Sequence, residues 1–408
     1  MNDNKLIKYT RDGDFINYLR MNKHRINGSN KTVLFIEPYG ATLSLLRHGL
    51  SQGFNIIVLT ANSDLRVVPN AILSSVQIAI AIDTASDTEI LHLMDEMRHE
   101  IHLDAVIPGF EYFVSIAAKV SCKLGLPGID VEHVINLRRK DQMRHVLMES
   151  GICVPRYSIV RSFDDLKIAI QEIGFPAVCK PIDAAGSVNV RKVNNECEAF
   201  AAATRILNAN DVLWGYRLST TMLYEEYITG KEFSLEGVVH HDVIKHFSIT
   251  EKFVSDEIDF VEIGHIANAQ IDESTKKIAE DYVDNVIRVL HANHSAFHAE
   301  IRIKPDGEPV LMEIAARLAG DRIGDLISLA KNINYYDHVY AAYFGEYKAR
   351  CVEENHYAGI RFFYRPEIEK YLTVHGLDEA QKYPIEELKL YYEPNNPIPA
   401  FQPKLSNK

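Results

Sequence analysis

The sequence predicts a mixed fold, α/β at its start and α+β beyond it. Three observations carry this. Between residues 31 and 135, short apolar runs (TVLFIE, NIIVLT, AVIP) alternate with stretches of helical spacing such as ATLSLLRHGLSQG. That alternation describes a parallel sheet with helices on its faces, a Rossmann-like domain. Further along, SAFHAEIRI and PVLMEIAAR lie either side of a Pro-Asp-Gly turn, a hairpin signal. Finally, 408 residues are more than one core organises, so two or three domains are expected.

In chain order, residues 1–30 are polar without a clear period. They read as an N-terminal extension, a short helix and a linker ending at Asn27-Gly28-Ser29-Asn30. Residues 31–135 follow as the parallel-sheet domain. The loop after its first strand is Glu37-Pro38-Tyr39-Gly40-Ala41. It lacks the G-x-G-x-x-G that lets a backbone approach a dinucleotide pyrophosphate, which argues against a nicotinamide or flavin enzyme. NLRRKDQMRHVLMESGICVP reads as one helix stopping at Gly151. SFDDLKIAIQEIG is a helix with Ser162 as N-cap and Gly174 as C-cap. FPAVCKP and NVRKV are strands around a small-residue loop, and LYEEYITGKEFSLEGVV is strand, turn, strand. The expected divisions are a small lobe at 136–223, a larger lobe at 224–345 and a C-terminal elaboration at 346–408.

Composition removes several function classes. There are 44 Lys and Arg against 56 Asp and Glu, a net charge of −12. Such a surface repels phosphate backbones, so no nucleic-acid partner is expected. The five cysteines, Cys122, Cys153, Cys179, Cys197 and Cys351, include no C-x-x-C pair. They read as small apolar residues in a reducing compartment. The N-terminus has no apolar signal core, and no apolar run reaches the roughly 20 residues a membrane helix needs. A cytoplasmic protein without a membrane partner is expected.

The hairpin carries the strongest chemical signal. With its turn centred between Asp306 and Gly307, paired residues sum to 613, and Glu300 faces Glu313. Two like charges in direct register are destabilising by themselves. Held between apolar neighbours, they call for a cation, a shared proton or an arginine. Hard oxygen ligands of this kind suit Mg²⁺ beside phosphates. The competing reading pairs Glu300 with Arg302 or Arg317. Lys180 ends an apolar strand before Ala184-Ala185-Gly186-Ser187, a loop able to bring N–H groups near a phosphate. Lys140 lies in RRKDQMR, where a solvated lysine is the ordinary alternative.

Taken in order, Lys140, Lys180 with its loop, Glu225-Glu226-Tyr227-Ile228, Glu232, Glu300, Glu313 and Arg317 form a set that resembles the ATP-grasp superfamily of carboxylate–amine ligases. The resemblance spans roughly residues 31–345 and implies an ATP-grasp fold behind a pre-ATP-grasp domain, with 136–223 as the lid lobe. It implies that Lys140 and Lys180 contact ATP phosphates and that loop 184–190, with Gly186 and Ser187, closes over them. Glu225, Glu226 and Ile228 would border adenine, and Glu232 the ribose. Glu300 and Glu313 would hold Mg²⁺ or Mn²⁺, and Arg317 would face the reacting carboxylate. Many members carry E-x-N on the second metal strand, whereas here it is Glu313-Ile314-Ala315, which leaves the number of metal ions open. With Arg317 and Gly320, the chain is most similar to the L-amino-acid ligases. In that subgroup an acidic residue of the first domain and an E-x-x-H segment line the substrate site, matched here by Glu111 and by Glu262 with His265. The implied substrates are two amino acids, and a homodimer is compatible. Three alternatives stay open: a ligase for another acid and amine, a biotin-type carboxylase, and a nucleotide-binding module without turnover.

Overall fold

The structure is a computed structural model describing residues 6–11, 14–64, 66–241, 243–255, 260–348, 356–363, 370–390 and 393–397. Cys351 and part of the expected C-terminal elaboration lie outside the described residues. Among the described residues the strands form a five-stranded, a four-stranded and a six-stranded sheet, plus a two-stranded ribbon.

The first sheet comprises β1 (Leu6–Lys8), β2 (Thr32–Ile36), β3 (Asn55–Thr60), β4 (Ile78–Ala81) and β5 (Ala105–Pro108). All are parallel, in the order β1-β4-β3-β2-β5. In β2, Val33 and Phe35 face one core, while Leu34 and Ile36 face another. Cover on both faces explains why the strand reads as an unbroken apolar run. The connecting helices are α1 (Asp14–Asn22), α2 (Ala41–Ser51), α3 (Asn70–Ser75), α4 (Asp87–Met97) and α5 (Val114–Leu124). The expected extension at 1–30 is not separate. Leu6–Lys8 pairs with β4, and Phe15 and Leu19 of α1 are buried in the same core. Three residues are too short to show a period, so this strand was hidden in the sequence.

Residues 134–149 are two helices, α6 (Val134–Arg138) and α7 (Lys140–Glu149), rather than the single one expected. Arg139 breaks them with an extended backbone (φ −109°, ψ 119°). The Lys140 N–H instead donates to the Ile182 carbonyl at 2.8 Å. Arg and Lys are good helix formers, so no local signal marks the break. These helices pack through Val134, Leu137, Met143 and Leu147 onto the core of the large sheet, not into the core of the small lobe.

The small lobe contains β6 (Tyr157–Val160), α8 (Phe163–Ile173), β7 (Ala177–Pro181), β8 (Arg191–Val193), α9 (Glu196–Leu207), the ribbon β9 (Val212–Leu213) and β10 (Tyr216–Arg217), and β11 (Met222–Glu226). Its sheet runs β6-β11-β7-β8. Ser162 Oγ accepts from the Asp165 N–H at 3.1 Å, and Gly174 closes α8 at φ 79°, as the caps predicted. Because β11 extends to Glu226, the division expected at 223/224 falls inside a strand and moves beyond it.

The large lobe adds β12 (Lys231–His240), β13 (Val243–Val254), β14 (Glu262–Ala267), α10 (Glu273–Val289), β15 (Ser295–Ile303), β16 (Pro309–Ala315), α11 (Ile323–Lys331), α12 (Tyr335–Tyr343) and β17 (Ala358–Arg361). The order is β16-β15-β12-β13-β14-β17, so the described part of the tail supplies an edge strand. α10 covers one face, while α11 and α12 share a core with the parallel sheet on the other.

The hairpin of β15 and β16 places Glu300 opposite Glu313, as predicted, but by a different route. Near the turn, Ile303 pairs with Pro309 and Ile301 with Leu311, sums of 612 rather than 613. Lys304 N–H donates to the Glu308 carbonyl, and Gly307 sits at φ 89°. The connection is thus a three-residue loop with glycine in the left-handed position. A bulge between Glu300 and Ile301 restores the expected register at the glutamates and leaves Met312 unpaired.

Candidate active site

The bulge has a chemical consequence. It turns the Met312 carbonyl out of the ladder, where it accepts from Arg144 Nη2 at 2.7 Å and Lys180 Nζ at 3.5 Å. Lys180, at the end of β7, and Arg144, on α7, both clasp Glu225, at 2.6 Å and 2.7 Å. All three are buried. Burial alone would raise the Glu225 carboxyl, but the charges of Arg144 and Lys180 hold it low. Burial depresses the Lys180 ammonium, opposed by Glu225. The Glu225 carboxylate is therefore occupied in aiming Lys180.

Lys140 is buried rather than solvated. The break at Arg139 makes it the first residue of α7. Its Nζ donates to the Ala184 carbonyl (2.6 Å) and to Glu313 Oε1 (3.0 Å). Two lysines from separate elements thus converge beside the β15–β16 hairpin and the base of loop 184–190. In that loop Gly186 and Ser187 have positive φ (67° and 57°), while Ala184, Ala185 and Val188 are buried against the parallel-sheet domain.

Glu300 pairs with neither Arg302 nor Arg317. Its partners are Lys252 Nζ (2.9 Å) and His298 Nε2 (3.1 Å). Lys252 also lies 3.1 Å from Glu232 and 3.0 Å from Glu262. Burial would lower this ammonium, yet Glu262, Glu300 and Glu232 together raise it well above the ordinary range. The same ammonium holds Glu300 and Glu262 below the usual carboxylate range against burial. Glu262 continues to His265, whose Nε2 is 3.5 Å from it and 3.0 Å from Asp321. These carboxylates raise the His265 imidazole against its burial. Its Nδ1 is buried with no hydrogen-bond partner among the described residues. Glu232 also accepts from Arg302 at 3.1 Å.

Glu111, at the start of a 3-10 turn after β5, is buried between Arg138 Nη1 (2.9 Å) and Arg317 Nε (2.7 Å). Burial would raise its carboxyl, but the charges of Arg317 and Arg138 hold it low. Gly109 lets this segment approach the first sheet, since a Cβ there would meet the Glu37 carbonyl oxygen at 1.9 Å. Gly320 lies open, with nothing within 4 Å of where a Cβ would stand. At the edge between the lobes, the Glu226 carboxylate accepts from the Arg156 N–H and Nε at 2.9 Å each. The Ile228 carbonyl accepts from Arg302 Nη1 at 2.8 Å.

Sequence reasoning missed Arg138, Arg144, Lys252, His298 and Asp321, the partners that hold the predicted residues. One local signal existed: His298 precedes Glu300 by two residues and so shares its face of β15. The donor set fits a hard divalent cation: two facing carboxylates, each already seated against an ammonium.

Residues 173–325 match the model of the ATP-grasp domain. Alanine–anticapsin ligase of Bacillus subtilis (strain 168) is 26% identical over 252 residues, a match covering 57% of this chain and 52% of that protein. The chain thus spans about half the length of the curated relatives it matches. Among solved structures, an L-amino acid ligase from Bacillus licheniformis superposes with a TM-score of 0.72 at 20% identity, covering 87% of this chain and 85% of the other. A phosphoribosylglycinamide synthetase from Anaerococcus prevotii gives 0.67 at 18%, covering 91% of each. The chain contains an ATP-grasp domain within an ATP-grasp fold, and it resembles the carboxylate–amine ligases of that superfamily, the L-amino-acid ligases among them.

Proposed function

We propose that the chain is an ATP-dependent ligase joining the carboxylate of one L-amino acid to the amino group of another, with release of ADP and phosphate. The observation that carries this reading is the run of contacts from Lys180 and Lys140 through Glu313 and Glu300 to Lys252, Glu262 and His265, beside the Glu111–Arg317 pair. Phosphate-binding cations stand at one end of it. Groups able to hold an ammonium and a carboxylate stand at the other.

The chemistry balances in two steps. A substrate carboxylate oxygen attacks the γ-phosphorus of ATP, the bond to the β–γ bridging oxygen breaks, and an acyl phosphate and ADP result. The second amino group then attacks the acyl carbon, gives up a proton, and phosphate leaves. Lys140 and Lys180 neutralise the phosphates, while Arg317 offers a planar fork of donors to the reacting carboxylate. Glu111 holds that fork in place. Glu262, His265 and Asp321 supply the negative pocket that suits an amino group. Glu300 and Glu313 would hold Mg²⁺, which neutralises and orients phosphate oxygens. Catalysis of this kind is mostly positioning and charge stabilisation. The described cysteines, Cys122, Cys153, Cys179 and Cys197, are free thiols, which suits a cytoplasmic enzyme.

The test is a screen of amino-acid pairs for ATP-dependent phosphate release, followed by mass spectrometry. A product at the mass of the two amino acids less water supports the proposal. Release only with bicarbonate or with another acid would move the assignment to a different ligase. Nucleotide binding without turnover on any acid would leave a regulatory module.

A further inference from the structure

A second group of ligand-bearing side chains lies at the far end of the large sheet. β12 carries Glu232 near its start and His240 at its end, eight residues apart, or roughly 27 Å along the strand. His240 pairs with Val243 across the turn to β13, and His241 sits in that turn. His294 lies just before β15. His240, His241 and His294 each offer a ring nitrogen, and these atoms lie within 4.8 Å of one another.

We propose that these three histidines form a binding site for a late-transition divalent cation, best matched by Zn²⁺, separate from the ATP site. His240 Nδ1 and His294 Nδ1 are 3.1 Å apart. Tetrahedral Zn²⁺ with Zn–N bonds of about 2.0–2.1 Å sets its nitrogens roughly 3.3 Å apart, so this pair already spans one edge of the polyhedron. His241 is exposed, so its ring can turn to complete the set. The donors are all imidazole, which suits Zn²⁺, Ni²⁺ or Cu²⁺ and disfavours Mg²⁺ and Ca²⁺. A second observation concerns the supporting shell. The backbone of Ala342, near the end of α12, is a polar neighbour of the His294 ring, the kind of outer group that orients a metal ligand. Burial, then the neighbouring His241 and His240, also keep His294 neutral, its pKa pushed down to about 4. A bound cation would fasten the β12–β13 turn to the entry of β15. It would act as a structural clamp with one open coordination position.

The experiment uses the full chain stripped of metal, with Mg²⁺ present to occupy the carboxylate site. Zn²⁺ is titrated calorimetrically and Co²⁺ is followed by visible absorption. His240→Gln and the exposed His241→Ala are compared with the parent, with circular dichroism to confirm folding. The expected result is one equivalent of Zn²⁺ bound, a tetrahedral Co²⁺ spectrum and a higher melting temperature. Each variant should weaken Zn²⁺ binding at least tenfold while leaving nucleotide affinity unchanged. Absence of binding, or equal affinity in both folded variants, would overturn the proposal. The second result would place the metal elsewhere, for instance at Glu262, His265 and Asp321.

Discussion

Arg317 Nε lies 2.7 Å from Glu111 Oε2, joining residues 206 positions apart in sequence. The contact ties the segment after the β15–β16 hairpin to the parallel-sheet domain. Arg138 also donates to Glu111, so the carboxylate keeps one partner if the other leaves. In the proposed reaction, Arg317 would therefore shift part of its donor fork to the substrate carboxylate without stranding a buried charge.

That arrangement sharpens the expectation for Arg317→Lys. The charge stays, but the planar fork is lost. Turnover should fall by roughly a hundredfold, the scale of losing one electrostatic donor, with nucleotide affinity nearly unchanged. Measuring kcat, nucleotide affinity and melting temperature on one preparation separates the outcomes. A destabilised variant with parental kcat would show that the Glu111 pair is only structural.

Glu313→Ala removes one of two facing carboxylates and takes the anion away from Lys140, which keeps the Ala184 carbonyl. Relief of the cross-strand repulsion should leave the fold intact while turnover disappears. Phosphate release and a thermal melt decide it. Near-normal turnover at saturating Mg²⁺ would end the metal assignment.

Loop 184–190 has an anchored part and an open tip. Ala184, Ala185 and Val188 are buried, Gly186 is exposed and Ser187 half-buried. ATP with Mg²⁺ should therefore slow hydrogen exchange chiefly at Gly186 and Ser187, near Lys180 at the base of the loop. Unchanged protection across 183–190 on adding nucleotide would count against a closing lid.

Much of this was legible because the signals were local. The α8 caps, the Lys180 strand and its loop, and the Glu300–Glu313 register all follow from residues close in sequence. The hairpin shows the limit. A two-residue turn with no bulge and a three-residue turn with one put the same glutamates opposite each other, so the sequence could not show that Met312 is freed. The pairings of these carboxylates with cations were out of reach for a different reason. Arg138 lies 27 positions from Glu111, Arg144 lies 81 from Glu225, and Lys140 lies 173 from Glu313. Periodicity carries no information across such gaps. Lys252 looked like any charged strand residue until three carboxylates gathered around it.

His298 gives the last prediction, on pH. Its Nδ1 lies 2.9 Å from Glu236 Oε1 and its Nε2 3.1 Å from Glu300 Oε1. A neutral imidazole can donate from one nitrogen only, so two carboxylates select the imidazolium. Burial would lower its pKa, but the bonds to Glu236 and Glu300, and their charges, push it up to about 9 from an ordinary 6.5. A folded-state pKa above the unfolded one contributes stability that is complete below the unfolded pKa and is lost as pH rises through the folded one. The metal-free protein should thus lose melting temperature, by a few degrees on the usual scale, between about pH 6.5 and 9. His265 is raised as well and acts in the same direction, so the parental curve alone does not isolate His298. His240 and His294 are lowered instead, and their linked change falls at lower pH. His298→Gln keeps one donor and cannot titrate, and Lys252 still holds Glu300. The variant should be less stable than the parent at pH 6 and should lose less between pH 6.5 and 9. Scanning calorimetry on both proteins without Mg²⁺ measures this, and parallel curves would show that the ring carries no charge between its two carboxylates.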